Sequence, residues 1–262
     1  MKIYIVTDLE GPAGVNMWRQ TREGATPENL AAKHLLTAET NAAIDGILDA
    51  DPECDITVMD GHGSGGLVYE LLHPRARYTM HGVRDAGYDT FASVASYDAL
   101  MFVGQHAMAG TPAAPLCHTF SSKTIEYYKL NNEFIGETGY IAAQFGYHNV
   151  PTIFLAGDDK ACIEAKAHIP NIVTVATKEG LGVQFALHLS AEAARHRIRE
   201  GATEAIRRIN EIPPFKIEEP VTLEIRVLEG VDIQHWINSG KYEKIDDHTV
   251  VQHAKNIQEL VR

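Results

Sequence analysis

Residues 1–11 read MKIYIVTDLEG, and this stretch decides how the rest of the chain is read. Ile3, Tyr4, Ile5 and Val6 form a β-branched and aromatic run that is apolar on both alternating faces, the pattern of a strand covered on both sides in a parallel sheet. The run stops at two acids. Asp8 and Glu10 are two residues apart, so extended geometry carried past the strand end points both carboxylates to the same side. Gly11, Pro12 and Gly14 then turn the chain away. Two carboxylates held that close repel each other, and a shared proton, a basic partner or a cation relieves the repulsion.

The same ending recurs further along. Residues 55–59 (DITVM) predict a second buried strand that runs into Asp60, Gly61 and His62, and residues 99–103 (ALMFV) predict a third that runs into Gly104, Gln105 and His106. The glycines of 61–66 lack the Lys-Ser/Thr of a phosphate loop. Thr26, Pro27 and Glu28 open a helix expected to reach about residue 50. Shorter helices are expected over 67–72 and 91–97, and a short strand over 78–81. Residues 107–117 are small and Pro-rich, suited to a cleft wall, and His118 closes them. The β character of 119–130 turns back at Asn131-Asn132 into 133–135, and Glu137 opens a helix to about 147. Residues 152–156 and 173–176 are further strands; Asp158 and Asp159 cap a helix over 160–168, and an amphipathic helix covers 190–210. A linker with three prolines spans 211–220. The reading is an α/β fold with a mainly parallel central sheet flanked by helices. Residues 1–210 form the metal-binding catalytic domain, and 211–262 a smaller α+β part packed on it, with amphipathic segments at 231–237 and 249–260.

Composition narrows the function. Of the 262 residues, 23 are Lys or Arg and 35 are Asp or Glu, a formal charge of −12. That excludes nucleic acid and anionic membranes as natural partners. No apolar run approaches the roughly eighteen residues of a membrane span, and the first strand leaves no room for a signal peptide, so a cytoplasmic location is expected. Cys54, Cys117 and Cys162 are odd in number and lack CxxC spacing, which argues against a disulfide framework or thiolate zinc. Cys117, beside His118, is a secondary nucleophile candidate.

In a parallel α/β sheet, ligands gather beyond the carboxyl ends of the strands. That rule brings Asp8, Glu10, His62 and His106 together from three strands, with Glu137 joining from its helix start. Each alone has an ordinary explanation as a strand-end polar group, and the helix dipole favours Glu137 even without a metal. Together they form a nitrogen and oxygen donor set suited to zinc, manganese or cobalt in a hydrolytic site. Five ligands with a bridging carboxylate exceed the needs of one catalytic zinc and suggest two metals roughly 3.5 to 4 Å apart. His118, on the wall of such a cleft, is a candidate proton carrier.

The D-x-E-G of 8–11, the D-G-H of 60–62, the G-Q-H of 104–106, His118 and the G-E-T-G-Y of 136–140 form a set. With T-A-E-T-N-A at 37–42, A-G-D-D at 156–159 and V-V-Q-H-A at 250–254, the chain resembles the D-aminopeptidase family of bacterial dipeptide-utilisation systems, peptidase family M55. The resemblance implies two Zn2+ per chain on Asp8, Glu10, His62, His106 and Glu137, with His118 catalytic as nucleophile, base or oxyanion stabiliser. It implies release of N-terminal D-amino acids from short peptides or amides, by a homodecamer of two stacked pentameric rings. The chain departs from the family pattern at Thr7, often Ser, at D-G-H in place of N-D-S-H, and in a segment from His106 to His118 one residue longer. The ligand types alone also fit a dinuclear phosphoesterase or another amidohydrolase, or a metal-stabilised ring without turnover. Against phosphate stands the lack of a cationic cluster near the ligands, Arg84 and Lys123 being the nearest basic residues by sequence.

Overall fold

The computed structural model describes residues 1–80 and 94–260. In chain order the elements are β1 (Lys2–Thr7), α1 (Trp18–Thr21), α2 (Pro27–Ala50), β2 (Asp55–Asp60), β3 (Ala76–Met80), β4 (Ala99–Gln105), β5 (Ile125–Leu130), β6 (Glu133–Phe134) and α3 (Glu137–Tyr147). There follow β7 (Thr152–Asp158), α4 (Asp159–His168), β8 (Val173–Gly182), β9 (Phe185–His188), α5 (Ala191–Arg207), β10 (Val221–Val227), α6 (Gln234–Asn238), β11 (Glu243–Lys244) and β12 (Thr249–Ala254).

β1 lies inside a seven-stranded sheet of order β3-β2-β1-β4-β7-β8-β9, parallel except for β9. Its apolar run is buried, as are β2, β4 and β7 almost throughout, because helices cover both faces of the sheet. Register is what places the site: Thr7 stands opposite Asp60 on one side and Val103 on the other. β1, β2 and β4 therefore end at nearly the same level, with Asp8, His62 and His106 just beyond.

The second sheet is antiparallel, with order β11-β12-β10-β5-β6. β10 alternates buried and half-buried residues, as a one-sided strand must. Its core joins Ile125, Tyr128, Val221, Leu223, Ile225 and Trp236 to Tyr140 of α3. Phe145 and Ile141 of the same helix pack into the first core, so α3 is buried nearly all round and ties the two sheets together.

Several elements differ from the sequence expectation. Residues 67–72 hold only a 3-10 turn, Tyr69–Leu71. The strand expected to stop at 176 runs on to Gly182 and folds back as β9; its continuation contains the buried polar pair Thr177 and Lys178, which hides a strand from a reading based on apolar runs. The amphipathic stretch 249–260 is β12 followed by a 3-10 turn. Residues 211–262 supply β10 to β12, while β5 and β6 of the same sheet come from 125–134. Of the helix expected over 91–97, Val94–Ser96 forms a 3-10 turn, and its first three residues lie outside the described residues, as do His81 and Arg84.

Candidate metal centre

The loops that follow β1 and β4 cross at van der Waals contact. Asp8 N donates to Val103 O at 2.9 Å and Gly11 N to Gly104 O at 2.7 Å. Gly104 has φ +84°, and a Cβ there would lie 2.0 Å from the Asp8 carbonyl; one on Gly11 would lie 2.2 Å from Gly104. Only glycine allows this crossing, which brings the two strand ends together.

Five sequence-assigned residues and His118 converge at this point. His106 Nε2 lies 3.2 Å from Asp8 Oδ2 and 3.4 Å from Glu137 Oε1; His62 Nε2 is 3.4 Å from Glu10 Oε1, and His118 Nε2 is 3.7 Å from Glu137 Oε1. The longer segment after His106 does not displace His118, whose ring stacks on His106 with centroids 4.0 Å apart. Asp8, Glu10 and His106 offer one ligand atom each within a 4.8 Å cluster, and so do His106, His118 and Glu137. His118 thus reaches the ligand atoms as closely as the residues assigned as ligands.

All three imidazoles are oriented alike. His106 Nδ1 donates to Ala107 O at 2.9 Å and His118 Nδ1 to Leu116 O at 2.9 Å, since a carbonyl can only accept. His62 Nδ1 meets Ser64 Oγ at 3.2 Å, and that hydroxyl donates onward to Thr21 O at 3.4 Å. Each Nε2 is left facing carboxylates. Such an outer hydrogen bond on Nδ1 is what fixes a metal-ligating histidine. Buried Glu10 Oε2 and His106 Nε2 have no hydrogen-bond partner, an expensive condition that a bound cation would relieve. The donor set fits zinc.

The electrostatics follow. Burial and the neighbouring Glu10 push the Asp8 carboxyl up to about 7. Burial also opposes charge on Glu10 and Glu137, but His62 outweighs it at the first, holding it well below its usual range, and His106 does so at the second, holding it at about 2. His62 is buried too, yet Glu10 raises it to about 9. Protons on imidazoles here do the work a metal would do. His118 differs: burial and the adjacent His106 lower it, leaving Nε2 suited to accept a proton.

Side chains other than the assigned ligands hold these loops. Lys178, 2% exposed, donates from Nζ to the carbonyls of Glu10 at 2.5 Å, Pro12 at 3.1 Å and Val15 at 2.5 Å. Thr177 Oγ1 donates to Gly11 O at 2.7 Å, and Glu39 Oε1 accepts from Ala13 N at 2.9 Å. Under His106, Asp158 Oδ2 accepts from Ala107 N at 3.2 Å and Glu164 Oε2 from Met108 N at 2.8 Å, while Asp158 also caps α4. Asp60 turns away from the cluster and closes the 61–67 loop through Gly66 N, Leu67 N and the Tyr69 hydroxyl. A lone lysine within a strand carries no sequence sign of pointing inward. Glu39 had one, an acid on the buried side of an amphipathic helix.

A cleft of about 280 Å³ opens beside the cluster, lined among others by Thr7, Asp8, Gln105, Phe120 and Glu137. Trp18 meets His118 edge-on at 5.9 Å, and Arg22 stacks over Trp18 at 3.5 Å. The Cys117 thiol donates to Thr111 O and is raised by burial, the opposite of an activated nucleophile.

Comparison with known proteins gives the family and the fold. The chain is 28% identical to a D-aminopeptidase of Bacillus subtilis (strain 168), over 99% of this chain and 93% of that one. Its fold matches the solved structure of the Zn-dependent D-aminopeptidase DppA from Bacillus subtilis, described as a self-compartmentalizing protease. The TM-score is 0.87 at 26% identity, again over 99% of this chain and 93% of the other. The family model of the M55 D-aminopeptidases matches residues 1–262, and the chain belongs to that family.

Proposed function

We propose that the protein is a zinc-dependent D-stereospecific aminopeptidase that releases N-terminal D-amino acids from short peptides or amides. The observation that carries this is the pair of buried atoms, Glu10 Oε2 and His106 Nε2, that have no well-formed hydrogen bond among the described residues, inside a ring of carboxylates and imidazoles beside an open cleft. Asp8, Glu10, His62, His106 and Glu137 hold two zinc ions per chain. Zinc, when bound, supplies Lewis acidity for the scissile carbonyl and lowers the pKa of water.

The chain's own groups do the rest. Asp8 and Glu137 both face His106, so each carboxylate helps orient the imidazole they share. Phe120 N donates to Glu137 Oε1 at 2.6 Å and fixes that carboxylate's plane. His118, locked by Leu116 O and stacked on His106, presents Nε2 to the cleft as the group that takes a proton from the attacking water and gives it to the departing amine. The catalytic groups all lie within 1–210, and 211–262 forms a packed extension.

The protein acts in the cytoplasm, where its three free cysteines are at home, and no helix among the described residues is long and apolar enough to cross a membrane. It assembles as a homodecamer of two pentameric rings. Supporting self-association, the β8–β9 hairpin exposes Leu181, Val183, Phe185 and Leu187, an apolar edge suited to a second copy.

Three measurements test the reading: zinc content, hydrolysis of a D-aminoacyl amide against its L-enantiomer and a phosphomonoester, and mass in solution. About two zincs per chain, turnover of the D-substrate alone and a ten-subunit mass are expected. His118→Ala should lower kcat by about 10²- to 10⁴-fold and keep the metal. Near-normal kcat in that variant removes the proton-carrier role; loss of zinc instead makes His118 a ligand.

A further inference from the structure

Arg22 takes no part in the chemistry above. Its Nε donates to Ser122 Oγ at 2.9 Å and its Nη2 to Ser122 O at 3.0 Å, and one face of the guanidinium is covered by the Trp18 ring. Among the described residues no carboxylate lies within ion-pair distance of it, although acids outnumber bases in this chain. The two bonds to Ser122 use the Nε side of the fork. Among the described residues the end-on pair, Nη1 and the second hydrogen of Nη2, has no hydrogen-bond partner, and it matches a carboxylate in bidentate geometry.

Three short links join this guanidinium to the residues of the metal cluster. Trp18, stacked beneath it, touches His118. Thr21, the preceding residue, accepts through its carbonyl from Ser64, whose hydroxyl holds His62. Ser122, its hydrogen-bond partner, stands two residues from Phe120, whose N–H holds Glu137. His118 is thus reached from Arg22 through one residue, and His62 and Glu137 through two each. Burial lowers the pKa of the guanidinium and the charge of Glu10 works against it, in keeping with this proximity.

We infer that Arg22 receives the C-terminal carboxylate of the substrate, so that the enzyme selects short peptides with a free carboxylate, dipeptides above all, over their amides. The inference rests on the aminopeptidase reading, which places the scissile bond at the metal cluster. An extended dipeptide spans roughly 7 Å, so with its amine end at the metals its carboxylate extends beyond the cluster, to where Arg22 stands behind Trp18 and His118. A longer peptide carries its carboxylate past the guanidinium and loses the pairing.

The test compares kcat/KM of the zinc-loaded protein for D-alanylglycine and D-alanylglycinamide, in wild type, Arg22→Gln and Arg22→Lys. A hydrogen-bonded charge pair of this kind is worth about ten- to hundredfold. Wild type should prefer the acid by that factor, mainly through KM. Arg22→Gln should bring the ratio close to one, and Arg22→Lys should restore part of it, because a single ammonium keeps the charge but not the fork. Equal use of acid and amide by wild type, or an equal loss on both in Arg22→Gln, overturns the inference and leaves the peptidase intact. Hydrolysis of neither substrate overturns the peptidase reading and the inference with it.

Discussion

The two sheets treat charge in opposite ways. On the antiparallel sheet acids meet bases at the surface: Glu224 accepts from Tyr127 and Lys129, and Arg226 bridges Glu126 and Asp246. At the ends of the parallel strands, Asp8, Glu10 and Glu137 are gathered around imidazoles with no lysine or arginine among them, and two of the converging atoms, Glu10 Oε2 and His106 Nε2, have no well-formed hydrogen bond among the described residues. Burying such a group without compensation costs free energy that folding alone does not recover. The first arrangement explains itself as a scaffold. The second makes sense only with a ligand, and what distinguishes a site from a surface here is unmet demand rather than the number of charges.

The sharpest way to break this contrast is to remove one ligand. Asp8→Ala and His106→Ala should each lose zinc and lower kcat/KM by about a thousandfold or more, measured by metal content and turnover on the same sample. Full zinc content in both variants would reduce the cluster to strand-end polar groups. A step down in size is Lys178→Met, which leaves every ligand in place and removes the ammonium that gathers the carbonyls of Glu10, Pro12 and Val15. Loss of an outer support of this kind weakens metal affinity by about ten- to a hundredfold. Unchanged zinc affinity in a folded Lys178→Met would show that the crossing of Gly11 and Gly104 suffices to place Glu10.

Legibility in the sequence divides along the same line. The convergence of the candidate ligands could be read because it comes from local rules: an apolar run gives a strand, the step after it gives the i, i+2 acids or a histidine, and parallel topology brings strand ends together. Their supports could not. Lys178 sits in a strand masked by its own polarity, and Glu39 reaches Ala13 across 26 residues, a contact only packing defines. Arg22 was missed for the same reason, since its place depends on Trp18 and on Ser122, which is 100 residues away. The antiparallel sheet was half legible. β10 alternates clearly, but its pairing with β5 joins segments on either side of four intervening strands, β6, β7, β8 and β9, and no local pattern announces it.

Glu39 sharpens the comparison by asking whether the support beneath the parallel sheet is charged. Burial pushes its carboxyl up to about 8 from an ordinary value of 4.5. The folded state then keeps a proton that the unfolded chain has released, so raising the pH from about 4.5 to 8 takes stability away. Glu39→Gln cannot titrate and should lack this component. Denaturant unfolding at a series of pH values reads it: the stability of wild type relative to the variant should fall steadily across that window. A flat difference would mean that Glu39 is ionised beside Lys178, as an ordinary buried ion pair.

The smallest effect belongs to the surface of the antiparallel sheet. Lys129 lies 3.3 Å from Glu224 and over the rings of Tyr127 and Phe134, at 4.8 and 4.9 Å, so it combines a part-exposed ion pair with two cation–π contacts. Pairs of this exposure are worth about 0–1 kcal/mol, and such ring contacts add about as much again. Lys129→Met keeps the aliphatic stem on the rings and should cost about 1 kcal/mol in denaturant unfolding, with zinc content unaltered. The variant also leaves Glu224 hydrogen-bonded to Tyr127 and open to solvent, so no buried charge is stranded. If zinc content fell with Lys129→Met, the two sheets would be coupled through α3, whose first residue is Glu137 and whose Tyr140 is packed in the second core. The contrast between scaffold and site would then be one of degree.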